Sequence, residues 1–125
     1  MRLLLDTHFL LWWLADDALL GDRGRALISS PENLIFFSAA SIWELRIKEG
    51  IGKLDLPDDF AEALAGQAFE PLAVTLTHAH ALRGLPLHHR DPFDRMLIAQ
   101  ARVEQLTIVT RDPVIGRYDV TALLA

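Results

Sequence analysis

The chain has 125 residues, 51% apolar and 23% charged, which is one domain's length with enough apolar content for a core and excludes a disordered tail. It contains no cysteine, so disulfide scaffolds, zinc fingers and thiol nucleophiles are out. Twelve Lys and Arg against seventeen Asp and Glu give a formal charge of −5, which opposes bulk electrostatic binding of nucleic acid yet leaves room for a local basic patch.

Met1-Arg2 and the leucines that follow begin like a secretory leader, but Asp6 breaks the run and no small-residue cleavage site follows. No segment reaches membrane-span length, so a soluble, cytoplasmic protein is expected. Leu3 to Leu5 reads as a strand buried on both faces, ending at Asp6-Thr7. Residues 8–15 follow as a helix, then a second from Asp22 to Ser29 before Pro31. Leu34 to Phe37 is strand-like, and Ser38 caps a helix from Ala39 to about Glu49, which Gly50 and Gly52 end. Pro57-Asp58-Asp59 opens a helix to about Ala65, Pro71 to Leu76 reads as a strand, and Thr77 starts a helix that stops near Gly84. Asp91-Pro92 begins a helix to about Gln105. Leu106 to Val109 is a strand, and Val120 to Leu124 a last edge strand. No repeat or linker divides the chain. Alternating strands and helices imply an α/β sandwich on a mostly parallel sheet, whose ligand crevice lies at the carboxyl ends of the strands.

Four acids fall at that predicted rim. Asp6 closes the first strand, and Asp112 follows the Leu106–Val109 strand across Thr110-Arg111. Glu44 lies two turns into the helix after the second strand, and Asp94 in the first turn of the Asp91-Pro92 helix. Hard oxygen donors without Cys suit Mg²⁺ or Mn²⁺. Carboxylates packed together repel unless a divalent cation neutralises them or one stays protonated. Such sites are commonly built for phosphodiester hydrolysis. Each acid also has a plain structural reading. Asp6 and Asp91 are good helix caps, Ser41 to Glu44 fits a capping box, and Asp112-Pro113 opens a turn.

Leu4-Leu5-Asp6-Thr7-His8, Ser38-Ala39-Ala40-Ser41-Ile42-Trp43-Glu44 and Thr110-Arg111-Asp112 resemble the motifs of PIN-domain ribonucleases. The most specific stretch is His88-His89-Arg90-Asp91-Pro92-Phe93-Asp94-Arg95-Met96-Leu97-Ile98-Ala99-Gln100-Ala101. It resembles the branch holding VapC-like toxins of type II toxin–antitoxin pairs. The resemblance covers essentially the whole chain, residues 1–125, and implies one PIN-like three-layer sandwich with helices on both faces of the sheet. It implies a metal-dependent endoribonuclease in which Asp6, Glu44, Asp94 and Asp112 hold Mg²⁺ or Mn²⁺, with RNA as substrate, an antitoxin as inhibitor and a homodimer as the assembly. Thr7 and Thr110 are expected to orient carboxylates by their hydroxyls. Asp91 is an extra acid near the site, more cap than ligand.

Arg46, Lys48, Lys53, Arg90, Arg95 and Arg111 flank the four acids, as an RNA groove requires, though each is also an ordinary surface charge. His88 and His89 precede the acidic helix without an assigned role, and His78 and His80 do not share a helix face. Phe9 to Leu14 is apolar on every side and must be covered twice, by the sheet and by a neighbouring element or a partner. The acidic charge favours an antitoxin whose basic segment reaches the pocket, an Arg or Lys entering among the carboxylates. A phospho-signalling receiver domain and a haloacid-dehalogenase-type phosphatase fit poorly. Asp6 stands alone, the lysines sit at positions 48 and 53 away from the last strand, and His8 stands where the phosphatase needs its second acid. The alternative that remains is a non-catalytic binding module whose acids only cap helices.

Overall fold

The computed structural model describes residues 1–125. Its strands are β1 (Arg2–Leu5), β2 (Leu34–Ser38), β3 (Glu70–Leu72), β4 (Thr107–Thr110) and β5 (Ala122–Leu124). Its helices are α1 (Thr7–Leu14), α2 (Gly21–Ser29), α3 (Ala39–Gly50), α4 (Phe60–Ala65), α5 (Leu76–Ala81) and α6 (Pro92–Glu104). Short 3₁₀ turns lie at Ala18–Leu20, Leu82–Gly84 and Ile115–Arg117. No helix is long and apolar enough to cross a membrane.

The strands form one sheet in the order β3-β2-β1-β4-β5, and every neighbouring pair is parallel. Parallel strands need helical crossovers, which cover both faces and leave the central strands no wet side. β1 shows the result. Leu3 and Leu5 point to one face and join Phe9, Leu10, Leu20, Ile28, Ile35 and Val109 under α1 and α2. Leu4 points to the other and joins Leu97, Ile98, Ala101, Leu106 and Ile108 against α6. The period-two alternation of one strand thus divides two cores, giving three layers.

The structure trims two expected strands. β3 ends at Leu72 because Thr75 caps α5, its hydroxyl accepting from the His78 N–H while the His78 ring accepts from the Thr75 N–H. That reciprocal cap takes the chain out of the sheet and starts α5 at Leu76, one residue before the expected Thr77. The last strand begins at Ala122 rather than Val120, since the Val120 N–H is drawn back to the Tyr118 carbonyl. His78 is fully buried, with its second ring nitrogen 2.9 Å from a Glu104 carboxylate oxygen. Gln100 bonds the Ser38 hydroxyl at 2.6 Å beside it.

Apolar α1 is covered from within the chain. Phe9 and Leu10 pack on the sheet. Trp12 lies under the Arg111 guanidinium, 4.8 Å from its ring centroid, and Trp13 meets Phe69 while its indole N–H donates to Gln67. The loop at residues 113–118 packs on the α6 side, through Ile115 and Tyr118.

Leu4 is wholly inaccessible at the centre of the sheet. Leu4→Ala should lower the unfolding free energy by about 3 kcal/mol through the cavity left between β1 and α6. Urea denaturation reads this directly, and a change below about 1 kcal/mol would contradict the packing described.

Candidate active site

The strand order reverses direction at β1, so the crevice between β1 and β4 is the switch point of the sheet. Asp6 and Asp112 stand at its two sides, immediately beyond the carboxyl ends of these strands. The Asp6 N–H continues the ladder by donating to the Val109 carbonyl at 3.0 Å. Its side chain caps α1, with Oδ1 accepting from the N–H groups of His8 (2.8 Å) and Phe9 (3.3 Å). Its Oδ2 accepts from the Thr110 hydroxyl at 2.7 Å, and the same hydroxyl oxygen accepts from the Asp112 N–H at 3.1 Å. Thr110 therefore ties the two acids to one another across the crevice.

Glu44 enters from α3. Ser38 caps that helix by accepting from the Ala40 N–H, so Ser41 and Glu44 do not form the capping box their spacing allows. Ser41 instead accepts the Thr7 hydroxyl at 2.9 Å. The expectation that Thr7 orients a carboxylate is corrected accordingly: its hydroxyl is used to join α1 to α3. Glu44 is buried, with Oε2 paired to Lys48 Nζ at 2.8 Å. Its Oε1 has no hydrogen-bond partner at all. An orphaned buried carboxylate oxygen costs free energy and is the exception among buried polar groups.

Asp94 enters from the first turn of α6, but it is Asp91 that caps the helix, accepting from the N–H groups of Phe93 (2.8 Å) and Asp94 (3.1 Å). The Asp94 side chain is left free for the crevice. Trp43 and Phe93, each one residue before an acid, meet edge to face with ring centroids 5.2 Å apart and so fix the spacing of α3 and α6 beside the site.

Burial, and then the neighbouring charges of Asp91, Asp6 and Glu44, raise the Asp94 carboxyl from 3.8 to about 7, while His89 pulls the other way. The hydrogen bond to Glu44 holds the Lys48 ammonium above its ordinary value, with Asp91 and Asp94 adding to the effect. These two shifts express one fact, an excess of negative charge in a partly dry crevice.

His89, which the sequence left without a role, lies at the centre of this arrangement. Its Nε2 sits 2.9 Å from Asp112 Oδ2 and 3.0 Å from Asp94 Oδ2. The other Asp112 oxygen accepts from the Val114 N–H at 2.9 Å. The available signal was its place two residues before a helix-capping Asp, where the chain folds back over the helix start. That signal is weak, because capping loops usually carry solvent-facing residues. His88 packs edge to face on Tyr118, outside the crevice.

The basic residues separate into three groups. Lys48 belongs to the crevice, and Lys53 lies near it in a cleft of about 240 Å³ that it lines with Thr7, His8, Leu11, Leu45, Lys48 and Leu54. Arg90 is exposed on the loop before α6. The other three are committed elsewhere. Arg46 pairs with Glu49 and covers Phe60. Arg95 donates to the carbonyls of Leu85, Pro86 and His89, and Arg111 to those of Leu19, Leu20 and Ala125. Both guanidiniums hold loops together.

The donor set fits a hard divalent cation. The charges of Asp6 and Glu44 reach Asp94, whose Oδ2 meets Asp112 Oδ2 at His89 Nε2, and one oxygen of Glu44 is orphaned. Ligand atoms of His89, Asp94 and Asp112 also lie within 4.8 Å of one another.

A family model of the PIN domain matches residues 3–120. Compared by sequence with curated proteins, the chain matches none. Solved structures share its fold at low identity. VapBC2 from Rickettsia felis, bound to a promoter DNA fragment, matches with a TM-score of 0.71 and 16% identity, covering 98% of each chain. DNA-bound VapBC from Salmonella typhimurium matches at 0.67 and 17%, covering 98% of this chain and 97% of the other. VapBC-1 from nontypeable Haemophilus influenzae matches at 0.63 and 15%, with coverage of 98% and 97%. With the family model spanning nearly the whole chain, and acids gathered at the switch point of a five-stranded parallel sheet, the chain belongs to the PIN-domain family.

Proposed function

We propose that this chain is a Mg²⁺- or Mn²⁺-dependent endoribonuclease that acts in the cytoplasm as the toxin of a type II toxin–antitoxin pair. The observation that carries the reading is the orphaned Glu44 oxygen in a crevice it shares with Asp6, Asp94 and Asp112. Asp6 and Asp112 have local structural work, as cap and turn acids, but Glu44 and Asp94 cap nothing. A module that kept its acids only as caps has no use for these two, and burying them against like charge works against stability.

In this reading the four carboxylates would hold the ion, which when bound would supply positive charge against the phosphoryl oxygens and acidify a water. Thr110 fixes Asp6 and the backbone of Asp112, so two ligands arrive preorganised. Lys48 offsets the charge of Glu44 without leaving the crevice edge. Lys48, Lys53 and His8 line the cleft beside Asp6 and Glu44, and they supply positive charge for the RNA backbone that an acidic chain otherwise lacks. Arg90 flanks the crevice from the α6 side. Water is the nucleophile, and no covalent enzyme intermediate is needed.

The partners follow from the same charges. An antitoxin that silences this crevice places an Arg or Lys among the carboxylates, doing the electrostatic work of the ion while excluding it. The structures of similar fold are VapBC complexes, which supports an antitoxin as partner. A second copy of the chain completes the assembly, with exposed Trp43, Leu76 and Leu87 offering apolar surface.

Asp94→Asn should abolish RNA cleavage while stabilising the metal-free fold above about pH 7, because it removes a charge the crevice resists. Cleavage of a structured RNA with Mn²⁺, beside an EDTA control and thermal melts of both proteins, tests this. Retained cleavage by the variant sinks the assignment.

The raised Asp94 carboxyl also sets a pH dependence. Its folded value lies above its unfolded one, so protonation stabilises the metal-free protein. That contribution is complete below 3.8 and is lost as pH rises through about 7. Metal binding runs the opposite way, strengthening through the same window with release of a proton. Melting temperatures with and without millimolar Mg²⁺ should therefore diverge as pH rises. An equal metal effect at about pH 5.5 and about pH 8.5 contradicts the reading.

For the antitoxin, replacing every Arg and Lys in the inhibitory segment by Gln should release nuclease activity. Full inhibition by such a fragment overturns the cationic plug.

A further inference from the structure

The His89 imidazole faces two carboxylates, and its other side shows which form the ring takes. Nδ1 accepts the backbone N–H of Asp91 at 3.1 Å, so it carries a lone pair rather than a proton. An imidazolium, or the Nδ1–H tautomer, would set two N–H groups against each other. The ring therefore presents Nε2–H as its donor, which bonds Asp112 Oδ2 at 2.9 Å while Asp94 Oδ2 lies 3.0 Å from the same nitrogen. A nitrogen fixed as a donor has no lone pair to give to a cation.

The ring's aim is itself fixed. The His89 N–H donates to the Tyr118 hydroxyl at 2.7 Å, and that hydroxyl donates to the Pro86 carbonyl at 2.8 Å. Arg95 donates to the carbonyls of both Pro86 and His89 at 2.8 and 3.3 Å. Tyr118 is buried in the α6-side core, which anchors the clamp to the rigid part of the molecule. Asp91, which holds Nδ1, is in turn fixed as the cap of α6.

We propose that His89 is a positioning residue rather than a metal ligand: a locked Nε2–H donor, aimed by Tyr118 and Arg95, that sets the separation of Asp94 and Asp112 and leaves the ion to oxygen donors alone. This rests on the metallonuclease reading and deepens it. One consequence is chemical. With the nitrogen between Asp94 and Asp112 withheld, this side of the crevice offers oxygen alone, which suits Mg²⁺ and Mn²⁺ over the nitrogen-seeking transition metals. A His that joined the ligand set would move the preference the other way.

The test begins with the unaltered protein. Long-range ¹H–¹⁵N correlation spectra of the histidine side chains should show His89 as the Nε2–H tautomer, both metal-free and with saturating Mg²⁺. With Mn²⁺ bound, pulsed electron paramagnetic resonance should show no directly coordinated ¹⁴N that His89→Gln removes. Calorimetric Mg²⁺ titration should find His89→Ala weakened by about 10–100-fold, the range for loss of an outer hydrogen-bond partner. His89→Gln, which keeps an N–H donor, should recover most of that loss, and Tyr118→Phe should show a smaller loss of the same kind. A switch to the Nδ1–H tautomer with Mg²⁺, a ¹⁴N coupling lost in His89→Gln, or failure of Gln to rescue Ala each overturns the positioning role alone. If neither ion binds the unaltered protein, the parent reading falls and this one with it.

Discussion

Like charges brought together out of water repel, and the pressure of Asp91, Asp6 and Glu44 on the half-buried Asp94 carboxyl is the constraint around which the rest of this crevice is arranged. The fold creates the problem, because a parallel sheet collects the ends of its strands and the starts of its following helices at one rim. The local answers differ from acid to acid. Asp6 is held by two backbone N–H groups and a hydroxyl, Glu44 by an ammonium, and Asp112 by a backbone N–H and an imidazole. Asp94 shares that imidazole, yet burial and then the charges of Asp91, Asp6 and Glu44 raise its carboxyl to about 7. The imbalance is informative. A crevice evolved only for stability would have exchanged Glu44 or Asp94 for an uncharged residue, since a buried charge contributes little to stability even when well paired.

Much of this was legible in the sequence, for reasons tied to particular residues. Leu3-Leu4-Leu5 is apolar without alternation, as a strand covered on both faces must be, and it is the central strand. Asp91-Pro92 is a helix start that few other structures satisfy, and α6 begins at Pro92. Where local chemistry had two solutions, the sequence did not choose. Ser38 and Ser41 are both plausible caps for α3, and only the contact with Thr7 shows why Ser41 is occupied elsewhere. The short third strand was similarly hidden, because a reciprocal Thr75–His78 cap looks like an ordinary polar stretch within a run of β-forming residues.

The charged side chains were the least legible, and the reason is reach. An Arg carries five donors on a long flexible stem, so its sequence neighbourhood says little about where the guanidinium ends up. Arg111 directly precedes an acid of the crevice, yet its head lies over Phe9 and Trp12 and binds carbonyls of Leu19 and Leu20 about ninety residues away in sequence. That contact also explains how an α1 helix apolar on all sides is accommodated: a flat, weakly hydrated cation covers the aromatic surface while its N–H groups satisfy a turn. Arg95 likewise sits one residue after Asp94 and turns away from it. Proximity to an acid in the sequence says little about an arginine's partners.

His89 shows the same limit from the other direction. Its neighbours in sequence mark it only as part of a capping loop, while its function depends on Tyr118 and Asp112, which arrive from the far side of β4. The loop at residues 113–118 carries Tyr118 to the α6 face, where its hydroxyl seats the chain around His89. One aromatic residue thereby links the hydrophobic core to the geometry of two carboxylates. The link explains why a small fold can hold a repulsive crevice steady: the acids are fixed not mainly by each other but by N–H and O–H groups anchored in the packed layers on either side of the sheet. Rigidity of that kind is what a metal-assisted hydrolysis requires, because an ion bound by flexible acids would be held just as tightly in unproductive arrangements.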